Sequence, residues 1–184
     1  MKIRELMSSP AYTCKAQDSL ESAARQLWEH DCGILPVVDR DGRVGAVITD
    51  RDICMGALMS GKRLADLRVA DSMSRRLTTC SPDDDLAVAV QRMSEHQIHR
   101  LPVVDALGKP LGMLSLNDLA VSGAREPAVG REATKVLASV CRHRAAVPMT
   151  TKAAAPRAAA PAAAPPKPAS PGTAVPKPTV ASTL

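Results

Sequence analysis

Two stretches of the chain set a hydroxyl three positions ahead of a carboxylate: Thr49-Asp50-Arg51-Asp52 and Ser115-Leu116-Asn117-Asp118. At the start of a helix this spacing has two uses. One is a capping box, in which the hydroxyl accepts from a first-turn N–H and the residue three along bonds back. The other is ligand binding: a helix N-terminus offers free N–H groups and a positive dipole end to phosphate, and a carboxylate one turn in accepts from vicinal ribose hydroxyls. A nucleoside phosphate meets both demands. His99 and Arg100 add a second cationic element, because guanidinium grips phosphate bidentately; the plainer reading of Arg100 is a solvated residue at a strand start.

The elements that must position these groups are written twice. ILPVVDRDG at 34–42 returns as RLPVVDALG at 100–108, and a shift of 66 residues superimposes 7–53 on 73–119 without a gap, with 16 identities in 47 positions. In the first copy Asp18 is expected to cap a helix with apolar positions Leu20, Ala23, Ala24 and Leu27, and Glu21 completes the box. Two strands follow, Ile34 to Val38 and Val44 to Ile48, and then a helix from Asp50 to about Met59. In the second copy Ser81 is the expected cap, with Pro82 at the first helical position. Its stripe is Leu86, Ala89, Val90 and Met93, its strands Leu101 to Val104 and Leu111 to Leu114, and its last helix Leu116 to Gly123. Arg131 to Arg144 reads as one further amphipathic helix on Val136, Leu137 and Val140. Leu64 to Val69 is a linker with an apolar anchor.

The order β-α-β-β-α, repeated, is an α+β fold with α/β-type packing. Its expected divisions are repeat 1 over 1–62, repeat 2 over 63–123, a C-terminal helix over 124–144 and a disordered tail over 145–184. Each unit buries too little surface alone, so the two are expected to pack about a pseudo-two-fold axis with two equivalent clefts. Trp28 belongs to the core or to a dimer interface rather than to a ligand stack.

Composition narrows the function. The last 40 residues contain 14 Ala, 9 Pro and no Asp or Glu, so they are expected to remain an extended tail. Lys152, Arg157, Lys167 and Lys177 of the tail supply most of the net charge of +5. A near-neutral body with one Tyr, one Trp and no Phe argues against nucleic-acid binding except through the tail. Five cysteines without a close pair read as reduced, cytosolic thiols, and no stretch has the apolar length of a signal peptide or membrane span. His30, Cys32, His96, His99, Cys14 and Cys80 are zinc donors in type but follow no ligand spacing. No catalytic motif is present, and no cofactor is required.

The doubled pattern of helix, Leu-Pro-Val-Val-Asp, Gly, second strand and Thr/Ser-x-x-Asp resembles the tandem CBS (cystathionine beta-synthase) domain family over about residues 1–123. The resemblance implies a non-catalytic regulatory module, cytoplasmic, commonly a homodimer, with clefts that bind AMP, ADP, ATP or S-adenosylmethionine. By position, Asp52 and Asp118 match the family's ribose carboxylate, and Thr49 and Ser115 its hydroxyl partner. Apolar residues near Thr13, Cys14, Thr79 and Cys80 match its adenine-pocket lining. His99 and Arg100 look like the phosphate-holding pair of nucleotide-sensing members. The first copy has Gly33 and Ile34 there, so its cleft is expected to lack that cation, with Arg51 compensating where the second copy has Asn117. The regulated protein stays unspecified. The alternative is a ligand-free, metal- or thiol-dependent stress scaffold acting through protein or nucleic-acid contacts of its basic tail.

Overall fold

A helix, a hairpin and a second helix build each repeat of the computed structural model, which describes residues 1–142. The expectations for 143–184, the end of the C-terminal helix and the Ala/Pro tail, lie outside those residues. The first repeat runs β1 (Cys14–Lys15), α1 (Leu20–Glu29), β2 (Ile34–Val38), β3 (Val44–Thr49) and α2 (Asp50–Ser60). After a short helix α3 (Val69–Ser72) the second runs α4 (Leu86–His96), β4 (Arg100–Val104), β5 (Pro110–Ser115) and α5 (Leu116–Gly123), and α6 (Pro127–Val140) follows. The expected order thus appears in full in the first repeat. In the second its leading strand is reduced to one parallel bridge, Cys80 to Val103, because Pro82, where the first copy has Ala16, brings no N–H for a ladder.

The hairpins are near copies. β2 and β3 pair antiparallel from Ile34–Thr49, with a register shift at Val37/Val38; β4 and β5 pair from Arg100–Ser115, with the same shift at Val103/Val104. Gly42 and Gly108 turn the two hairpins at φ +78° and +80°, where a side chain would be strained. β1 adds in parallel to β2, so the first sheet has order β1-β2-β3 and the second is β4-β5.

The helix starts differ in part from expectation. Ser19, not Asp18, caps α1 by accepting from Ser22 N–H, while Asp18 accepts from the Lys15 N–H one turn earlier. Ser81 does not cap α4. It sits in a turn in which its N–H donates to Asp84, and α4 begins only after Asp85, the counterpart of Ser19. α6 begins at Pro127 rather than Arg131, with the proline in the first turn, where its missing N–H costs nothing. There Gly130 lies so close to Gly123 of α5 that a Cβ on Gly123 would stand 2.6 Å from the Gly130 Cα. Trp28 is not core: 88% of it is exposed.

Each core contains a piece of the segment that precedes the other repeat. Ile3 and Leu6 are buried among Leu86, Met93, Leu101 and Leu114, and Leu67 and Val69 among Leu20, Leu35 and Ile48. The backbone follows suit. Ile3 N–H donates to Asp84 C=O and Ser8 bridges to Met113, while Val69 N–H donates to Asp18 C=O and Ser74 bridges to Val47. Ile3 and Val69, Asp84 and Asp18, Ser8 and Ser74, and Met113 and Val47 each lie 66 positions apart, so the exchange is pseudo-two-fold. Burying a side chain such as Ile3 contributes roughly 1.5–3 kcal/mol, so the exchange ties the repeats into one body.

Candidate functional site

Both hydroxyl–carboxylate pairs form capping boxes. Thr49 Oγ1 accepts from the Asp52 N–H at 3.2 Å, and Asp52 Oδ2 accepts from Thr49 N–H at 3.1 Å and from the Thr49 hydroxyl at 2.8 Å. Ser115 and Asp118 repeat this at 3.2, 2.7 and 2.5 Å. Capping consumes only Oδ2 in each case, so it does not preclude a ligand. The remaining oxygens differ: Asp118 Oδ1 accepts from Ser8 Oγ at 2.7 Å, whereas Asp52 Oδ1 accepts no hydrogen bond among the described residues.

Asp52 lines a cleft of about 430 Å³ between the repeats. The first repeat supplies Ile34, Val47, Thr49, Arg51 and Asp52; the segment leading into the second supplies Ser74, Arg76 and Thr78; and residues 96–100 with Pro102 form the opposite wall. The pairing of Ile34 with Thr49 sets the helix start beside the first residue of β2, which is why these two arrive together. Arg51 and Arg76 make no salt bridge among the described residues. Arg100 of the second repeat lays its guanidinium over Gly33 of the first; a Cβ on that glycine would stand 3.0 to 3.2 Å from the guanidinium atoms. The arrangement offers an open carboxylate oxygen, arginines for an anion, and an apolar strip of Ile34, Val47, Ile98 and Pro102.

The structure regroups the sequence candidates. Thr49, Arg51, Asp52 and Ile34 share the cleft with His99 and Arg100, so the His-Arg pair of the second repeat meets the helix start of the first. The expectation that the first copy's cleft lacks this pair is corrected: His99 and Arg100 line the same cleft as Thr49 and Asp52. Ser115, Asn117 and Asp118 do not line this cleft. Thr13, Cys14, Thr79 and Cys80 are not among its lining residues, although Thr78, next to Thr79, is. Cys14 and Cys80 each keep 2% exposure within their own repeat's core, and burial, aided by the Asp18 and Asp84 carboxylates respectively, pushes each thiol up to about 12. Thr79 and Cys80 edge a separate surface depression beside Asp83, Asp84 and Arg92. Cys32 is raised by burial, with the Ile34 N–H and Arg100 acting against the rise. No group of three His, Cys, Asp or Glu side chains converges to hold a metal among the described residues.

Sequence reasoning missed Ser74, Arg76 and Thr78, which come from the exchanged segment. A signal was present: the identities Met7–Met73 and Ser8–Ser74 extend the repeat ahead of its first strand.

Two copies of one β-α-β-β-α unit exchanging their leading segments around a shared cleft define a tandem module, and the comparisons agree. Residues 3–56 and 65–122 match the CBS domain, and the chain belongs to that family. It is 31% identical over 134 residues to the CBS domain-containing protein YhcV of Bacillus subtilis (strain 168), covering 73% of this chain and 94% of that one. The CBS domain pair of protein MJ0100, solved in complex with 5′-methylthioadenosine and S-adenosyl-L-methionine, superimposes with a TM-score of 0.61 at 27% identity, over 68% of this chain and 98% of that one. Hypoxic Response Protein I, solved with two coordinated zinc ions, has a TM-score of 0.59 at 25% identity, over 66% and 98%. Among the described residues no helix is long and apolar enough to cross a membrane.

Proposed function

We propose that this CBS pair is a non-catalytic regulatory module that binds an adenosine ligand, AMP, ADP, ATP or S-adenosylmethionine, in the Asp52 cleft. The observation that carries the reading is a carboxylate with one oxygen spent on its helix cap and the other without a hydrogen bond among the described residues, in a cleft lined by Arg51 and Arg76, which make no salt bridge among those residues. Ribose hydroxyls donate to Asp52 Oδ1, a phosphate takes Arg51, Arg76 and the N-terminus of α2, and the apolar strip receives the base. The ligand touches both repeats, so it favours the packing in which they close on it, and that shift is the signal. The MJ0100 pair, with its adenosine-containing ligands, supports the ligand class. In a thermal-shift panel of adenosine compounds at a hundredfold Kd, binding adds about 2.7 kcal/mol, several degrees of Tm. Asp52→Ala should remove that rise, and a panel in which no compound moves the wild-type Tm rejects the reading.

The same proposal includes a homodimer. α6 covers α4 and α5, where Ser139 Oγ donates to the Ser94 carbonyl and Gly130 meets Gly123. The counterparts of Ser94 and Gly123 on the first repeat are Trp28 and Ala57, and that face exposes Trp28, Leu58 (69%) and Met59 (48%), with no helix covering it among the described residues. An apolar face of this kind supports pairing of two chains through α1 and α2. Five free cysteines are in keeping with a reducing, cytoplasmic setting.

A further inference from the structure

Projecting the Asp52 cleft through the pseudo-two-fold gives a second cleft around Ser115 and Asp118, and its walls are differently furnished. Arg51 becomes Asn117, Arg76 becomes Pro10, and Thr78 becomes Tyr12. Two of the cations that would meet a phosphate are therefore gone, although Arg100 lies close by over Gly33. Tyr12 stacks flat on His30, the counterpart of His96, with ring centroids 3.5 Å apart and planes 4° from parallel. The two rings stand where the first cleft has the small Thr78 and a histidine on its lining. Ser8, the counterpart of Ser74, binds the oxygen of Asp118 that a ribose would need.

We infer that the chain takes one phosphorylated nucleotide, in the Asp52 cleft, and that the Tyr12–His30 stack and the Ser8–Asp118 bond hold the pseudo-symmetric cleft shut. The inference rests on the nucleotide reading above and adds its stoichiometry and the residues that set it. A ligand entering the second cleft would have to separate a stacked pair and replace the Ser8 hydroxyl on Asp118, with fewer cations to offset the cost.

Isothermal titration of the full chain with ATP tests this. The expected result is one equivalent per chain, with no binding left in Asp52→Asn. Two equivalents, or one surviving in Asp52→Asn, overturns the inference while leaving nucleotide binding intact. Absence of heat from ATP, ADP, AMP and S-adenosylmethionine alike overturns the nucleotide reading itself, and this inference with it. Should Asp52→Asn fold poorly, NMR on the wild-type chain decides: ATP should shift the Arg51 and Thr78 amides and leave the Tyr12 ring and Ser8 amide in place. A Tyr12 ring that moves with them overturns the closed cleft.

Discussion

Asp52 and Asp118 occupy the same position of the same motif, yet their second oxygens face different surroundings. Asp118 joins its own helix cap to Ser8 of the segment ahead of the first repeat, while Asp52 is tied only to its cap among the described residues. Asp118→Ala should therefore cost more stability than Asp52→Ala, by about 1 kcal/mol for the additional bond to a charged acceptor. Urea denaturation of the two variants compares them directly, and equal losses would contradict a structural role for the Ser8 contact. The cysteines also divide by surroundings. Cys54 and Cys141 are exposed, whereas Cys14 and Cys80 are buried with thiols pushed up to about 12. At pH 8 a thiol reagent should modify Cys54 and Cys141 quickly in the native chain and reach Cys14 and Cys80 only on unfolding. The sign of the linked pH effect follows. Above the ordinary thiol value near 9, the unfolded chain releases these two protons and the folded chain keeps them, so their share of stability is lost as pH rises from 9 toward 12. Alkaline melts of the wild type against Cys14→Ala and Cys80→Ala measure it.

Among elements, the helices show most clearly how local signals and packing divide the work. Apolar spacing marked α1, α4 and α6, because a 3.6-residue stripe is a property of the segment alone, and α5 has the expected bounds, Leu116–Gly123. The capping residues of α1 and α4 escaped it, since Asp18, Ser19, Ser81 and Asp85 are all competent caps and the choice depends on where the preceding strand ends. α6 begins a turn earlier than its stripe indicates because Gly123 and Gly130 let two backbones approach. Gly123→Ala would set a methyl carbon 2.6 Å from a backbone atom of α6, which backbone cannot yield cheaply. We expect a loss of 1–3 kcal/mol by chemical denaturation, typical of overpacking, with α6 amides losing hydrogen-exchange protection first. A neutral result would mean that α6 is not anchored on α5 in solution.

For the whole molecule, α6 breaks the two-fold that the repeats otherwise obey. It covers the helices of the second repeat and leaves Trp28, Leu58 and Met59 of the first uncovered. Light scattering after size exclusion should find a dimer for the wild type and a monomer for Trp28→Ser with Leu58→Ser, both fully folded by circular dichroism; a double variant that remains dimeric would exclude this face. The sequence by itself determined the duplication, the hairpins and the two helix starts with hydroxyl and carboxylate in register. Those features are local, set by periodicity, turn glycines and contacts three residues apart. Only the tertiary structure decided that the leading segments cross over, that His99 and Arg100 join Asp52 in one cleft, and that Ser8 satisfies Asp118. Partners that far apart in the chain meet according to how the apolar faces of two repeats are buried together, which no short stretch encodes.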